Sequence, residues 1–212
     1  MLLAMRMALI STCVALITVP ALGQSVDEQP PTPEARLSLD RDFETEATSP
    51  EPFGAKGQES LAITSGIGFS LESDQDATDV PLNFAYSRFL ADDFEIQLGL
   101  TLWGHFQDGD DAAGISPGFD LRWHFVNREV WTLYADAGIG VLFTTDDVPD
   151  RGTSFNFMPR LGVGGTLRLT DDGLRLVGGI RWHHISNARI EGDERNPDRD
   201  GILFYGGVMI PF

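Results

Sequence analysis

The chain has one cysteine, Cys13, and one lysine, Lys56. Cys13 lies within an N-terminal apolar stretch that reads as a removable signal, so the mature chain carries no thiol. That excludes a disulfide framework, a thiol nucleophile and a cysteine-ligated metal. The scarcity of lysine accompanies a formal net charge of −17 and no cluster of basic residues. An acidic chain of this kind is a poor match for a phosphate backbone, which argues against a nucleic-acid partner. Long apolar runs are also missing. The one at Met7 to Val19 is shorter than the about 20 residues a helix needs to cross a bilayer. No convincing amphipathic helical repeat occurs along the chain.

What is present divides into three segments. Residues 1–23 read as a secretory signal: Arg6 supplies the positive charge, an apolar core follows, and Ala21-Leu22-Gly23 offers small residues for cleavage. Its removal takes away Arg6 and no acid, leaving the mature chain one unit more negative. Residues 24–56 read as a disordered periplasmic leader. Gln29-Pro30-Pro31-Thr32-Pro33 and Ser49-Pro50-Glu51-Pro52 bracket an acidic stretch that has too little apolar surface to offset the entropy of ordering it. From Gly57 to Phe212 the pattern changes to period-two alternation.

Eight alternating runs can be counted. Phe94, Ile96, Leu98, Leu100 and Leu102, with Glu95, Gln97, Gly99 and Thr101 between them, form the cleanest. Ile115 to Phe125 alternates large apolar residues with Ser116, Gly118, Asp120, Arg122 and His124. Strict alternation marks strands with two different environments. The polar face carries Asp120, Arg122, Asp136, Arg160 and Arg168 among many glycines, a composition suited to a narrow polar lumen. The large apolar face then suits lipid. Aromatics near strand ends (Phe94, Phe106, Trp131, Phe143, Phe155) resemble interfacial girdles. Short turns near 90–93, 126–129 and 170–173 alternate with longer polar loops near 72–79, 107–114, 144–153 and 187–200. The expected fold is all-β: an eight-stranded antiparallel transmembrane β-barrel of the bacterial outer membrane, ending on the terminal Phe212. A soluble lipocalin-like barrel would need the opposite polarity inside.

The last strand pair carries the chemistry. Leu174, Leu176, Ile180 and Trp182 share a lipid-facing parity, and His184 and Ser186 continue it. On the returning strand Asp200 shares parity with Ile202, Phe204, Val208, Ile210 and Phe212. Polar groups aimed at lipid cost several kcal/mol when unsatisfied, so these three ask for a reason. Residues two apart on a strand have Cα atoms roughly 6.5–7 Å apart and point the same way, which lets an imidazole reach a hydroxyl. A serine activated by a histidine that an acid orients is a nucleophile for acyl transfer. The roles would be Ser186 nucleophile, His184 general base and then acid, and Asp200 orienter, with Asn187 or nearby backbone N–H groups facing the oxyanion. Periodicity alone allows a second reading, a polar rim at the membrane–water interface.

His184-Ile185-Ser186-Asn187-Ala188, the loop reaching Asn196-Pro197, and the phenylalanine-terminated last strand resemble the C-terminal signature of the PagL-type lipid A 3-O-deacylases. That resemblance implies an outer-membrane serine esterase whose lipid-facing Ser–His–acid site removes the 3-O acyl chain of lipid A. It implies His184 as base, Ser186 as nucleophile, Asn187 at the oxyanion side and Asn196 as the loop asparagine. The acid in such proteins is usually glutamate. Here Asp200 takes the position, with Asp198 the alternative on the same parity. Arg189 stands where a small residue is common, and the loop is longer.

The remaining histidines read as structural: His183 has lumenal parity, His105 lies at an outer strand end, and His124 lies in the lumen near a short turn. None has ligand-spaced neighbours, so no metal and no cofactor are expected. The acidic stretches Asp108–Asp111, Asp146-Asp147 and Glu191–Glu194 read as solvated loops before calcium sites. The expected partners are lipopolysaccharide as substrate and the lipids of the outer membrane; a homodimer is left open. The alternative function is a non-catalytic small barrel serving as anchor, adhesin or narrow transporter. An outer-membrane phospholipase would need more strands than residues 57–212 provide, and a soluble periplasmic binder would extract without detergent.

Overall fold

The structure, a computed structural model, describes residues 52–212. The signal at 1–23 and residues 24–51 of the leader lie outside the described residues. Eight strands follow in order: β1 (Glu59–Ser70), β2 (Ala77–Ala91), β3 (Phe94–Gln107), β4 (Ala112–Asn127), β5 (Trp131–Thr144), β6 (Phe155–Arg168), β7 (Arg175–Ile185) and β8 (Arg199–Pro211). Each pairs antiparallel with the next, and β1 pairs with β8 to close the barrel. Closure leaves no sheet edge to satisfy in lipid. The expected fold class is the one found. Connections of two, three and six residues join β2 to β3, β4 to β5 and β6 to β7 at one end, the short-turn end. At the opposite, long-loop end, where the candidate site lies, ten residues join β5 to β6 and 13 join β7 to β8. The connections β1–β2 and β3–β4 at that end span only six and four residues, because the strands extend into the loops expected near 72–79 and 107–114.

The alternation maps onto the two faces as the pattern requires. Leu61, Leu98, Leu121, Leu133, Leu161 and Leu176 are exposed on the outside, as a lipid-facing band demands. Between them on β3 to β6, Glu95, Asp120, Arg122, Asp136 and Arg160 are buried in the lumen and paired. Arg122 donates to Glu95 at 3.3 Å and to Asp136 at 3.2 Å. Arg181 reaches the same Asp136 at 2.8 Å and lies 3.9 Å from Asp120. Arg160 binds Asp120 through two bonds of 2.6 and 2.8 Å. Three guanidinium groups thus interleave with three carboxylates, so burial leaves no net charge in this ladder. Arg168, expected to join it, is exposed at the short-turn end, because β6 terminates there.

Apolar clusters close the lumen on both sides of the ladder. Phe89, Tyr134, Val177 and Met209 fill the short-turn side. Trp103, Leu142, Met158, Ile185 and Leu203 fill the long-loop side. Two cavities within the barrel hold only about 30 and 20 Å³, on the order of a single water.

One part of the leader belongs to the barrel. Pro52–Lys56 cap the short-turn end instead of remaining apart from it. Phe53 is buried, edge-on to Phe89 and His124 with ring centroids 5.5 Å away in each case. The Arg175 guanidinium lies 3.8 Å over its ring, and its carbonyl accepts from Asn127 Nδ2 at 2.6 Å. The socket is assembled from β2, β4 and β7, so the local composition of the leader does not announce it.

Candidate active site

β7 and β8 bring His184 and Asp200 directly opposite one another in the ladder. Their side chains meet on the outer face: His184 Nδ1 lies 2.8 Å from Asp200 Oδ1. Directly paired residues on neighbouring strands have close Cβ atoms, which explains why a side chain as short as aspartate reaches the ring. Asp198 stands on the other side of the imidazole, with Oδ2 3.8 Å from Nε2. The two acids therefore differ in kind. Asp200 is hydrogen-bonded at Nδ1, whereas Asp198 flanks Nε2 at a distance beyond hydrogen bonding. Trp182, one ladder step down the same face, stacks against His184 at 6.1 Å and 24°.

Ser186 lies just beyond the end of β7 and shares an isolated bridge with Phe157 of β6. Its hydroxyl donates to Asn196 Oδ1 at 3.0 Å and accepts from the Ala188 N–H at 3.1 Å. No hydrogen bond joins it to His184, contrary to the expectation from same-face spacing. The physical reason is local. The ladder that enforces alternation ends at Ile185, and Ala188 and Arg189 both adopt left-handed conformations, with φ of 55° and 62°. Such conformations are sparsely populated by residues other than glycine, and they turn the chain sharply after the serine. The hydroxyl proton goes to the loop amide.

Asn187 and Asn196 hold this turn. Asn196 Oδ1 accepts from both Ser186 and the Asn187 N–H, the latter at 2.9 Å. The Asn187 side chain has the opposite parity and is buried. It donates to Thr153 Oγ1 at 3.2 Å and to the Arg195 carbonyl at 2.6 Å, and accepts from the Arg189 N–H at 2.8 Å. Its amide is committed to bracing the loop, which leaves the backbone N–H groups after Ser186 as the polar donors nearest the hydroxyl. Arg195 extends the brace to the neighbouring loop through Gly152 O at 2.9 Å and Asp147 at 3.3 Å. Arg189 is exposed and pairs with Asp193 at 3.1 Å. Thr153 and Arg195 were not legible as supports, since both lie in polar loops without periodicity.

The other histidines all point into the lumen. His124 contacts Thr132 at 2.8 Å and Glu95 at 3.3 Å. His105 and His183 share Asp79, at 2.7 and 3.1 Å. Among the described residues no group of three or more histidine, cysteine or acidic side chains is arranged to hold a metal.

The model of the family described as lipid A 3-O-deacylase (PagL) matches residues 77–205. That span is more than half of the chain and contains every side chain of the site described above. Comparison with curated protein sequences gives no match. Among solved structures, that of the outer membrane enzyme PagL is 18% identical, with a TM-score of 0.50, over 71% of this chain and 99% of that one. Neisserial surface protein A is 15% identical, also at a TM-score of 0.50, over 73% of this chain and 96% of that one. Likeness at such identities speaks for the eight-stranded fold, whereas the family model speaks for the sequence itself: the chain belongs to the PagL family of lipid A deacylases, ester hydrolases built on an outer-membrane β-barrel.

Proposed function

We propose that the protein is a serine esterase that removes the 3-O-linked acyl chain of lipid A, using Ser186, His184 and Asp200 on the lipid-facing side of the barrel. The observation that carries the reading is the His184–Asp200 pair at 2.8 Å beside Ser186. It is a hydrogen-bonded polar pair continuing strand faces made of Leu176, Ile180 and Trp182 on one side and Ile202, Phe204 and Val208 on the other, where an idle polar pair is costly. Catalysis begins when the Ser186 hydroxyl turns from Asn196 toward His184 Nε2, displacing Asp198 from that side of the ring. Ser186 Oγ then attacks the ester carbonyl carbon while His184 Nε2 takes the hydroxyl proton. Asp200 holds the Nδ1–H and stabilises the imidazolium. The tetrahedral intermediate collapses, the bond to the sugar oxygen breaks, and His184 returns the proton to that oxygen. A water deprotonated by His184 attacks the acyl-enzyme carbonyl, the bond to Ser186 Oγ breaks, His184 returns the proton to that oxygen, and the fatty acid is released. The backbone N–H of Ala188, now free of the serine oxygen, is placed to meet the oxyanion.

This reading takes the long-loop end as the outer one, so that the site lies at the level of the lipid A sugars, and takes residues 1–23 as the export signal. The closed lumen supports it over a narrow transporter, since the two interior cavities are each the size of about one water. The test is mass spectrometry of lipid A from cells expressing the wild type or Ser186→Ala. The wild type should remove one acyl chain. The variant should leave lipid A intact while still running as a heat-modifiable barrel. Deacylation by the folded variant would remove Ser186 from the mechanism.

A further inference from the structure

Directly behind the proposed site, inside the barrel, lies a buried cluster that the mechanism above does not use. Asp79 of β2 accepts from Arg199 at 2.7 Å and lies 2.7 Å from His105 and 3.1 Å from His183. All four side chains are at most 1% exposed. Arg199 also reaches Gln107 at 3.4 Å, and the Trp103 indole stacks on His105 at 5.6 Å and 14°. The cluster ties β7 and β8 to β2 and β3 across the lumen, over the intervening β1.

Its members sit at telling positions. His183 immediately precedes His184, and Arg199 lies between Asp198 and Asp200. Successive residues of a strand point to opposite faces, so the anchors face inward where the site side chains face outward. The His183 ring packs against the backbone of Gly201, where a Cβ would come within 2.6 Å of it. The site side chains themselves stand at the rim, where β7 ends and β8 begins, and strand ends fray when nothing holds them. On the lipid side no packed protein layer backs His184 and Asp200. Their relative placement therefore comes from the backbone, and the backbone at this rim is gripped from within.

We propose that Asp79 is a positioning residue for the deacylation reaction: by holding Arg199 and His183, it fixes the strand ends that present Asp200 and His184. The inference rests on the reading of the site given above. It makes Asp79 important for the rate of the chemical step and not for substrate capture, because it lies inside the barrel and touches no substrate. A misplacement of a catalytic group by about 1 Å can cost on the order of a hundredfold in rate.

The test compares Asp79→Asn, Glu95→Gln and Ser186→Ala as purified, heat-modifiable barrels. Glu95 is equally buried, but at the far end of the lumen from the site. For Asp79→Asn, kcat should fall by about tenfold or more with KM within about twofold of the wild type. Glu95→Gln should leave both constants near the wild-type values. Wild-type kcat in Asp79→Asn overturns the inference, as does an equal loss in Glu95→Gln, which would mark a general effect of lumenal charge. Should Asp79→Asn not fold, His183→Gln, which removes one of the three grips, takes its place: a several-fold loss of kcat supports the inference and an unchanged kcat overturns it. Retained activity in Ser186→Ala overturns the reading of the site and this inference with it. A dead Ser186→Ala beside a fully active Asp79→Asn overturns the inference alone.

Discussion

Asp198 and Asp200 differ by two positions and by one ångström in their distance to His184, 3.8 against 2.8 Å. The difference in role is larger than the difference in length. An acid at Nδ1 selects the tautomer that leaves Nε2 free to take a proton, and loss of such an orienter in a serine hydrolase lowers kcat by about 10⁴-fold. Asp200→Asn is accordingly expected to lose about 10²–10⁴-fold in lipid A deacylation, whereas Asp198→Asn should stay within about tenfold of the wild type. Steady-state assays of fatty-acid release from purified lipid A distinguish them, and equal losses would reverse the assignment. Asn187 is a second case in which chemistry and position separate. Its amide suits an oxyanion, but its parity buries it in bonds to Thr153 and Arg195. Asn187→Ala should therefore act through the loop, leaving buried partners unsatisfied at about 1–3 kcal/mol, which protease nicking between residues 187 and 198 would report.

The strands act as two-sided elements, and substitutions on the two sides should fail for different reasons. Leu161, 59% exposed near the middle of β6, meets only lipid. Leu161→Arg should cost about 2–4 kcal/mol of folding free energy near the bilayer midplane. On the inner side, Arg122→Met removes the guanidinium shared by Glu95 and Asp136, leaving Glu95 with His124 and Asp136 with Arg181 alone. Breaking a buried pair from one side costs about 3–5 kcal/mol, so this variant should be the less stable of the two. Reversible urea unfolding in lipid vesicles measures both. A neutral Arg122→Met would mean that water reaches the ladder.

At the scale of the whole molecule, the barrel is a closed support with the candidate site on its outer face. Phe53 and the apolar floor formed by Phe89, Val177 and Met209 close one end, and Trp103, Leu142 and Met158 close the other. Purified protein in planar bilayers should show no ion conductance; steady channel openings would contradict the packed lumen. The β7–β8 loop is acidic, with Glu191, Asp193, Glu194 and Asp198, yet it is tied back to the β5–β6 loop by Arg195 and Asn187. The site is thus held from two directions, by loop contacts around Ser186 and by the lumenal carboxylate Asp79 behind His184 and Asp200.

Period-two alternation was enough to tell lipid from lumen at Leu98, Asp120, Arg122 and Leu161, because in a closed barrel each side chain has only two environments and composition betrays which is which. The same parity put His184 and Asp200 on one outer face, where the ladder pairs them. It could not follow Ser186 past the end of β7, since alternation holds only while hydrogen-bonded neighbours enforce it, and there the left-handed turn at Ala188 and Arg189 decides where the hydroxyl points. Nor could it foresee the seat of Phe53 or the convergence of Asp79, His105, His183 and Arg199, which are assembled from strands as far as 120 residues apart in sequence. Which face a residue takes is a local property of the chain; which residues meet across the lumen is fixed only when the first and last strands pair and the barrel closes.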